Sequence, residues 1–557
     1  MLMLFLKRMA LQFYTNIAAG SDCLLLREVV DGRRIKRKVP YQPTLFIPSN
    51  KKTKWRGTDE TVVEPIKFES VAAAREYVRQ LEDVSGAKIY GNTDYRYAYL
   101  NEEYPTEPVE FNSSQILVFN IDIEVDTTDG FCEAQEAVNQ ITAITIRNSL
   151  DRRFYVWGMG EFRTDRKDIS YFQCKNEEDM LYRFLDYWES NTPDLVIGWN
   201  IENFDIPYLV NRITRVRGKE EARRLSPWKI VREKTRHKFG KDVFVYDIGG
   251  MAILDYMVIY RKNVLEPRES FSLNAIANVE LGESKISYDE VANLNQLHAQ
   301  NHQKFIEYNI HDVELVERLD RKLKLVELQL VVAYATKINY DDVFSQVKTW
   351  DTLICNHLFR SNIVIPMKEH GDSKHEQYAG AYVKEPIVGL HSWVTSFDVT
   401  SLYPNIMRTL NMGIETKMTA DKLPSDLRAF LDTLRPREDR TSLVKRMLNG
   451  DVNMSPIYDA NLALSANGVT YKREPQSFYS QMIDNLFNQR VLFKKKAQKG
   501  KKEVEAIHTE MKNRPDPHGC HGSLYDHVQF IKSPEFEKEK RLTSEAAEDQ
   551  RTPPKAR

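Results

Sequence analysis

The chain has 557 residues, 42% of them apolar and 29% charged, with a net charge of −1. That length suits roughly three or four domains, no apolar run is long enough to span a bilayer, and Met1–Leu6 is too short for the apolar core of a secretory signal. Five cysteines (Cys23, Cys132, Cys174, Cys355 and Cys520) lack paired spacing, which fits a reducing compartment rather than a disulfide-stapled fold.

A near-neutral balance neither requires nor excludes nucleic acid, so any such site must come from local clusters. Residues from Leu11 to about Thr106 read as a mixed α/β module. Cys23–Val30 and Ile35–Val39 flank Asp31-Gly32, a hairpin turn signal, and Val71–Leu81 is amphipathic at helical spacing. Gly91-Asn92-Thr93-Asp94-Tyr95 reads as a plain turn before a Tyr-rich strand, with no second acid beside it.

Gln115–Val125 reads as a buried strand carrying Asp122 and Glu124. Residues i and i+2 of a strand share a face, so the two carboxylates meet on one side. They repel there unless a cation lies between them, which suits a metal better than a purely structural role. Asp126 falls at the strand's exit and is left out of the set. A second strand, Asp194–Gly198, runs into Trp199–Tyr208 and places Asp205 near a helix start, with Pro207 tolerated in the first turn. Lys229–Tyr246 reads as a basic two-stranded hairpin around Gly240, either solvated decoration or a wedge between DNA strands. Phe305–Leu319 is helical, and Tyr308 and Asp312, four residues apart, are neighbours on one face.

The ordered set Asp122-Ile123-Glu124, Asn200-x-x-x-Phe204-Asp205 and Tyr308-x-x-x-Asp312 resembles the DnaQ-type 3′→5′ exonuclease domain. Each motif is short; three in order on a strand, a loop and a helix are specific. The resemblance implies an RNase H-like fold with two divalent ions, Mg²⁺ or Mn²⁺, held by Asp122, Glu124, Asp205 and Asp312, and Tyr308 orienting the attacking water. Lys285 stands where phage members carry a basic residue. The chemistry agrees: two ions generate a hydroxide and stabilise a departing 3′-oxygen, leaving the protein to position them.

Beyond Asp312, Leu323–Tyr334 and Val347–Phe359 read as helices. In Tyr378–Pro386, small residues between aromatics let a backbone approach a ligand, and Lys384 suits a phosphate. An apolar-flanked strand, Val394–Val399, is expected to deliver Asp398 as a buried acid, and the turn after it offers backbone N–H groups to an anion. Phe478–Lys502 is helical, with Arg490 and Lys494 one turn apart.

These segments resemble the family B DNA polymerases, and over about Leu11–Lys512 the T-even-type bacteriophage replicative enzymes. The resemblance implies α/β and α+β domains in order. Residues 1–112 form an N-terminal domain completed by about 325–372, and residues 113–324 the exonuclease. Residues 373–475 form a partial palm, 476–512 the first fingers helix, and 513–557 an unrelated tail whose composition predicts disorder. It also implies that Tyr378, Gly380 and Lys384 bind the template, and that Asp398 and the Val399 carbonyl hold catalytic ions. Ser401, Leu402 and Tyr403 then cradle a dNTP, Tyr403 as steric gate, while Arg490 and Lys494 grip its triphosphate. In the tail, His518, Cys520, His521 and His527 lack the paired spacing of a zinc site.

The family's second fingers helix, its Tyr-Gly-Asp-Thr-Asp-type turn and its thumb have no counterpart between Asp398 and Arg557. Three explanations stand: half of a split polymerase completed by a second polypeptide, a truncated product, or a stand-alone single-strand exonuclease or DNA-binding replisome component. The first is the expectation, because half a palm leaves apolar surface in need of a partner. The implied partners are primer-template and single-stranded DNA, dNTPs, that second polypeptide and replisome proteins, in the cytoplasm of an infected host cell.

Overall fold

The structure, a computed structural model, describes residues 11–513 apart from 83, 85, 107, 129, 131, 239–240, 265, 368–382, 420–421, 435–445, 447 and 466–467. It divides into two compact units between Val383 and Lys384.

The first unit opens with an antiparallel sheet of Gln12–Ala19, Leu24–Val30 and Arg33–Val39. Asp31 and Gly32 both take positive φ (51° and 76°), the backbone that a two-residue hairpin turn requires. The helix expected at Val71–Leu81 spans Val71–Glu82. The Tyr-rich stretch after Asp94 is a helix, Tyr95–Glu103, rather than a strand. Its Tyr95-x-Tyr97-x-Tyr99 spacing mimics strand alternation, but all three rings are buried because the helix is packed on more than one side.

The second layer system is a six-stranded mixed sheet. Its strands lie in the order Ile169–Gln173, Arg153–Gly158, Ile141–Asn148, Val118–Val125, Leu195–Gly198 and Ala252–Asp255. Strand alternation divides Val118–Val125 between two environments. Phe119, Ile121 and Ile123 enter a core with Trp157, Phe184 and Trp188, the last two from the helix Glu177–Ser190. Asn120, Asp122 and Glu124 face the other way, and Asn120 donates to the Val313 carbonyl of the helix His302–Leu323 at 2.8 Å. That helix seats Phe305, Ile306, Ile310 and Val313 against Ala143, Phe154 and Val156.

The basic hairpin is present as Val231–Lys238 paired with Lys241–Ile248. Lys324, at φ 56°, ends the helix His302–Leu323 and lets Leu325–Thr336 turn back onto the N-terminal sheet. There the Tyr334 hydroxyl donates to the Tyr14 carbonyl at 2.7 Å, and the Asn339 side chain exchanges hydrogen bonds with the Ile17 backbone at 2.8 and 2.9 Å. Farther on, Ile363–Val364 pairs in parallel with Arg56–Gly57. Residues 325–364 therefore pack on elements some 300 positions earlier.

One buried ion pair joins the N-terminal sheet to the mixed sheet. Arg27 reaches Asp194 at 2.9 Å and the Gly250 carbonyl at 2.7 Å. Asp194 also accepts from Thr15 Oγ1 at 3.0 Å and the Leu117 backbone N–H at 2.9 Å. Asp194 and Leu117 each stand just before a central strand begins.

The second unit holds the helix Leu402–Thr409, the helix Ser425–Leu434, a small sheet and the long helix Phe478–Asn513. Asn411 is its knot, with φ 52°. Its Nδ2 donates to the carbonyls of Lys472, Arg473 and Pro475, and its Oδ1 accepts from the Ser477 N–H. Val394–Val399 does not form the expected strand: it is unpaired and exposed. A strand needs neighbours for its backbone groups, and none among the described residues lies beside it. The tail from residue 514, with its His and Cys residues, lies outside the described residues.

Removing one partner of a buried pair strands the other charge. Asp194→Ala should therefore cost about 3–5 kcal/mol of stability, read as an earlier urea midpoint in equilibrium unfolding. A midpoint equal to that of the unmodified chain would refute this account.

Candidate metal centre and its surroundings

The centre forms where three elements meet. Val118–Val125 brings Asp122 and Glu124, both half-buried, to one face. The helix His302–Leu323 brings Tyr308 and Asp312, both buried, against that face. Ligand oxygens of Asp122, Glu124 and Asp312 lie within 4.8 Å of one another, the one such trio among the described residues.

Asp205 is attached to the trio through the backbone. The strand Leu195–Gly198 pairs with Val118–Val125 only as far as Asn120, leaving the edge beyond it open. Asp205 Oδ1 takes the Ile123 N–H there at 3.1 Å, between the two strand acids. The approach is close enough that a Cβ on Gly198 would stand 2.5 Å from the Ile121 carbonyl oxygen, so only glycine fits at that strand end. Asp255, buried, holds the intervening loop through the Asn200 N–H (3.0 Å) and the Glu202 N–H (3.3 Å). Asn200 itself sits at φ 64°.

Four acids face one cation. Lys285 forms an ion pair with Asp312 and donates to the Tyr308 hydroxyl at 3.1 Å. Burial, then the charges of Asp205, Glu124 and Asp312, push the Asp122 carboxyl well above the usual carboxylate range. Burial and Asp312 push Glu124 up to about 8. Burial pushes Asp205 up to about 7, against the hydrogen bond from Ile123. It also raises Asp312, with Lys285 pulling the other way. Burial disfavours the Lys285 ammonium, but Asp312, Tyr308 and Asp122 outweigh that and hold its pKa above normal.

The donor set fits a hard divalent cation: all oxygen, strongly anionic and short of positive charge. Asp312 Oδ1 is buried without a hydrogen-bond partner, an acceptor that the protein's own donors leave unused.

Three residues of this site escape sequence reading. Asn309 and Thr145 are fully buried beside Asp122, and Asp255 is a loop anchor. Asn309 is the neighbour of Tyr308 within the helix motif, but nothing in a periodic pattern marks a buried amide as facing acids on another element.

The second unit gathers fewer of its expected residues. Asp398 and Val399 are exposed, so the acid is not the buried one expected, and Asp398 belongs to no cluster of three or more metal-ligating side chains among the described residues. Ser401, at φ 50°, precedes the helix Leu402–Thr409, and Asn405 Nδ2 bonds the Thr400 carbonyl at 2.7 Å to close the turn. Leu402 and Tyr403 are exposed on its first turn. Arg490 Nη1 reaches Ser401 Oγ at 3.4 Å, which brings two predicted nucleotide-binding residues together. Lys494 is exposed one turn on, and Lys384 is exposed at the unit's start. Tyr378 and Gly380 lie outside the described residues.

Two family models match: the exonuclease domain of DNA polymerase family B over residues 80–276, and DNA polymerase family B over residues 344–513. Lys285, Tyr308 and Asp312 fall between these segments and enter the centre by geometry. The chain is 33% identical to the DNA-directed DNA polymerase of Escherichia phage RB69 over 508 residues, 86% of this chain and 53% of that protein. It is 33% identical to the DNA-directed DNA polymerase of Enterobacteria phage T4 over 431 residues, 73% of this chain and 47% of that protein. The DNA polymerase delta catalytic subunit of Schizosaccharomyces pombe is 28% identical over 262 residues, 45% of this chain and 24% of that protein. The chain thus spans about half the length of the phage relatives, and no described helix is long and apolar enough to cross a membrane. With an exonuclease segment followed by a polymerase segment of one family, the chain belongs to DNA polymerase family B.

Proposed function

We propose that this chain carries the metal-dependent 3′→5′ proofreading exonuclease of a viral DNA-directed DNA polymerase, together with part of its nucleotide-addition site. The supporting observation is the convergence of Asp122, Glu124 and Asp312 within 4.8 Å, beside Asp205 and the Tyr308 hydroxyl. In this reading Asp122, Glu124, Asp205 and Asp312 hold Mg²⁺ or Mn²⁺. The ions supply an activated water and charge stabilisation at the phosphodiester. Tyr308 orients the water, and Lys285 keeps Tyr308 and Asp312 in register.

For the second unit, Asp398 and the Val399 carbonyl serve as metal ligands. Ser401, Leu402, Tyr403, Arg490 and Lys494 contact an incoming dNTP, and Tyr378, Gly380 and Lys384 the template. We place nucleotide addition with a second polypeptide that supplies the remaining palm, fingers and thumb. The exposed side chains of Trp393, Phe397, Val399 and Tyr403, on or beside an unpaired stretch, support that reading as surface to be covered. The domain bounds 1–112 with 325–372, 113–324, 373–475 and 476–512 belong to the same proposal, as do the replisome partners and action in an infected cell's cytoplasm.

Asp122→Ala combined with Glu124→Ala should lower magnesium-dependent digestion of single-stranded DNA by on the order of a thousandfold, since several kcal/mol of charge stabilisation are lost. Digestion at the unmodified rate sinks the assignment. DNA retention without digestion by the unmodified chain would favour a binding module instead.

The raised carboxyl groups also make stability pH-dependent. Glu124 moves from an unfolded value of 4.5 to about 8, and Asp205 from 3.8 to about 7. The folded state thus binds more protons across that interval, and the metal-free chain should lose stability as pH rises from about 5 to 8. Adding Mg²⁺ or Mn²⁺ replaces those protons and should flatten the loss. Thermal melts across this range in chelator and in metal check both signs.

The isolated chain should not extend a primer. Mixing it with a polypeptide carrying the family's remaining palm, fingers and thumb should give extension that Asp398→Ala abolishes. Template-directed extension by the pure chain would overturn the division of labour.

A further inference from the structure

The acids of the centre need something that holds them together without competing with the incoming cation. Lys285 does not fully meet that need, because its positive charge repels a divalent ion as well as attracting the acids. A neutral hydrogen-bond donor does. Asn309 is fully buried and donates from Nδ2 to Asp122 Oδ2 at 2.6 Å. One neutral amide therefore holds the strand carboxylate that Asp205, Glu124 and Asp312 all crowd.

Its orientation is fixed from behind. The hydroxyl of Thr145, also fully buried, donates to Asn309 Oδ1. Thr145 lies directly across from Asp122 in the strand pairing, so its side chain emerges on the same face. With the carbonyl end held by that hydroxyl, the Nδ2 end of the amide is turned toward Asp122. Helix register contributes too: Asn120 ties its own amide to the Val313 carbonyl one turn further along.

We propose that Asn309, oriented by Thr145, is a positioning residue that keeps Asp122 aimed for a divalent ion while adding no charge of its own. The proposal rests on the reading of the acids as a metal centre. A backing hydrogen bond of this kind acts on metal affinity: outer partners of metal ligands change affinity or activity by about 10- to 100-fold when removed.

Manganese titration of the full chain tests it, followed both by the rise in thermal unfolding temperature and by digestion of single-stranded DNA. Asn309→Leu and Thr145→Val should each raise the half-saturating Mn²⁺ concentration by about 10- to 100-fold, with the maximal rate moving less than the half-saturation. Thr145→Ser, which keeps the hydroxyl, should restore the unmodified half-saturation. If Asn309→Leu gives no cooperative melt, the Thr145→Val and Thr145→Ser pair decides. Half-saturation unchanged in Thr145→Val overturns the proposal, and the metal centre stands if the unmodified chain binds Mn²⁺ while Asp122→Ala does not. An unmodified chain with no Mn²⁺-dependent shift overturns the metal centre and the proposal together.

Discussion

The first unit is organised around a repulsion. Asp122, Glu124 and Asp312 are held with ligand oxygens within 4.8 Å, and burial leaves little water to screen them. Such a cluster destabilises a fold unless the framework over-determines it. Here the two strand acids are pinned by alternation, because the residues between and before them, Ile123 and Ile121, are anchored in a separate apolar core. The helix acid is pinned by Phe305, Ile306, Ile310 and Val313 on the opposite face of the sheet.

The backbone does as much as the side chains. The strand Leu195–Gly198 ends its pairing early, so the Ile123 N–H is left for Asp205. Gly198 permits the close strand approach, and Asp255 ties down the loop that carries Asp205 to its place. One polar network then extends from Thr145 through Asn309 to Asp122, and another from Lys285 to Tyr308 and Asp312. The Arg27–Asp194 pair acts at a different scale, joining the N-terminal sheet to the bases of the central strands.

The second unit shows what happens when the same local code lacks neighbours. Its Asn411 knot and the apolar cluster of Leu423, Leu427, Leu431 and Ile457 are self-contained. The stretch carrying Asp398 is not, since a strand is stabilised by pairing and Val394–Val399 has no partner among the described residues. Alternation and apolar flanks mark a segment able to pair, and they carry no information about whether a partner is there. The Tyr95–Glu103 helix makes a related point: three tyrosines at alternate positions look like a strand until the surrounding packing covers more than one side of a helix.

By itself the sequence determined the family, the order of the acids along the chain, and the strand of Asp122 and Glu124 and the helix of Asp312, while Asp205, read as a loop acid near a helix start, is the first residue of that helix. Those features are local: alternation puts Asp122 and Glu124 on one face, and a four-residue step puts Tyr308 beside Asp312. Only the tertiary structure decided that three of the acids converge, that Asp205 joins them through a backbone N–H, and that Asn309 and Thr145 stand behind Asp122. It likewise decided that Asp398 is exposed. These depend on contacts between distant positions, such as Asp122 and Asn309, 187 apart, and no local periodicity specifies which distant surface a side chain will meet.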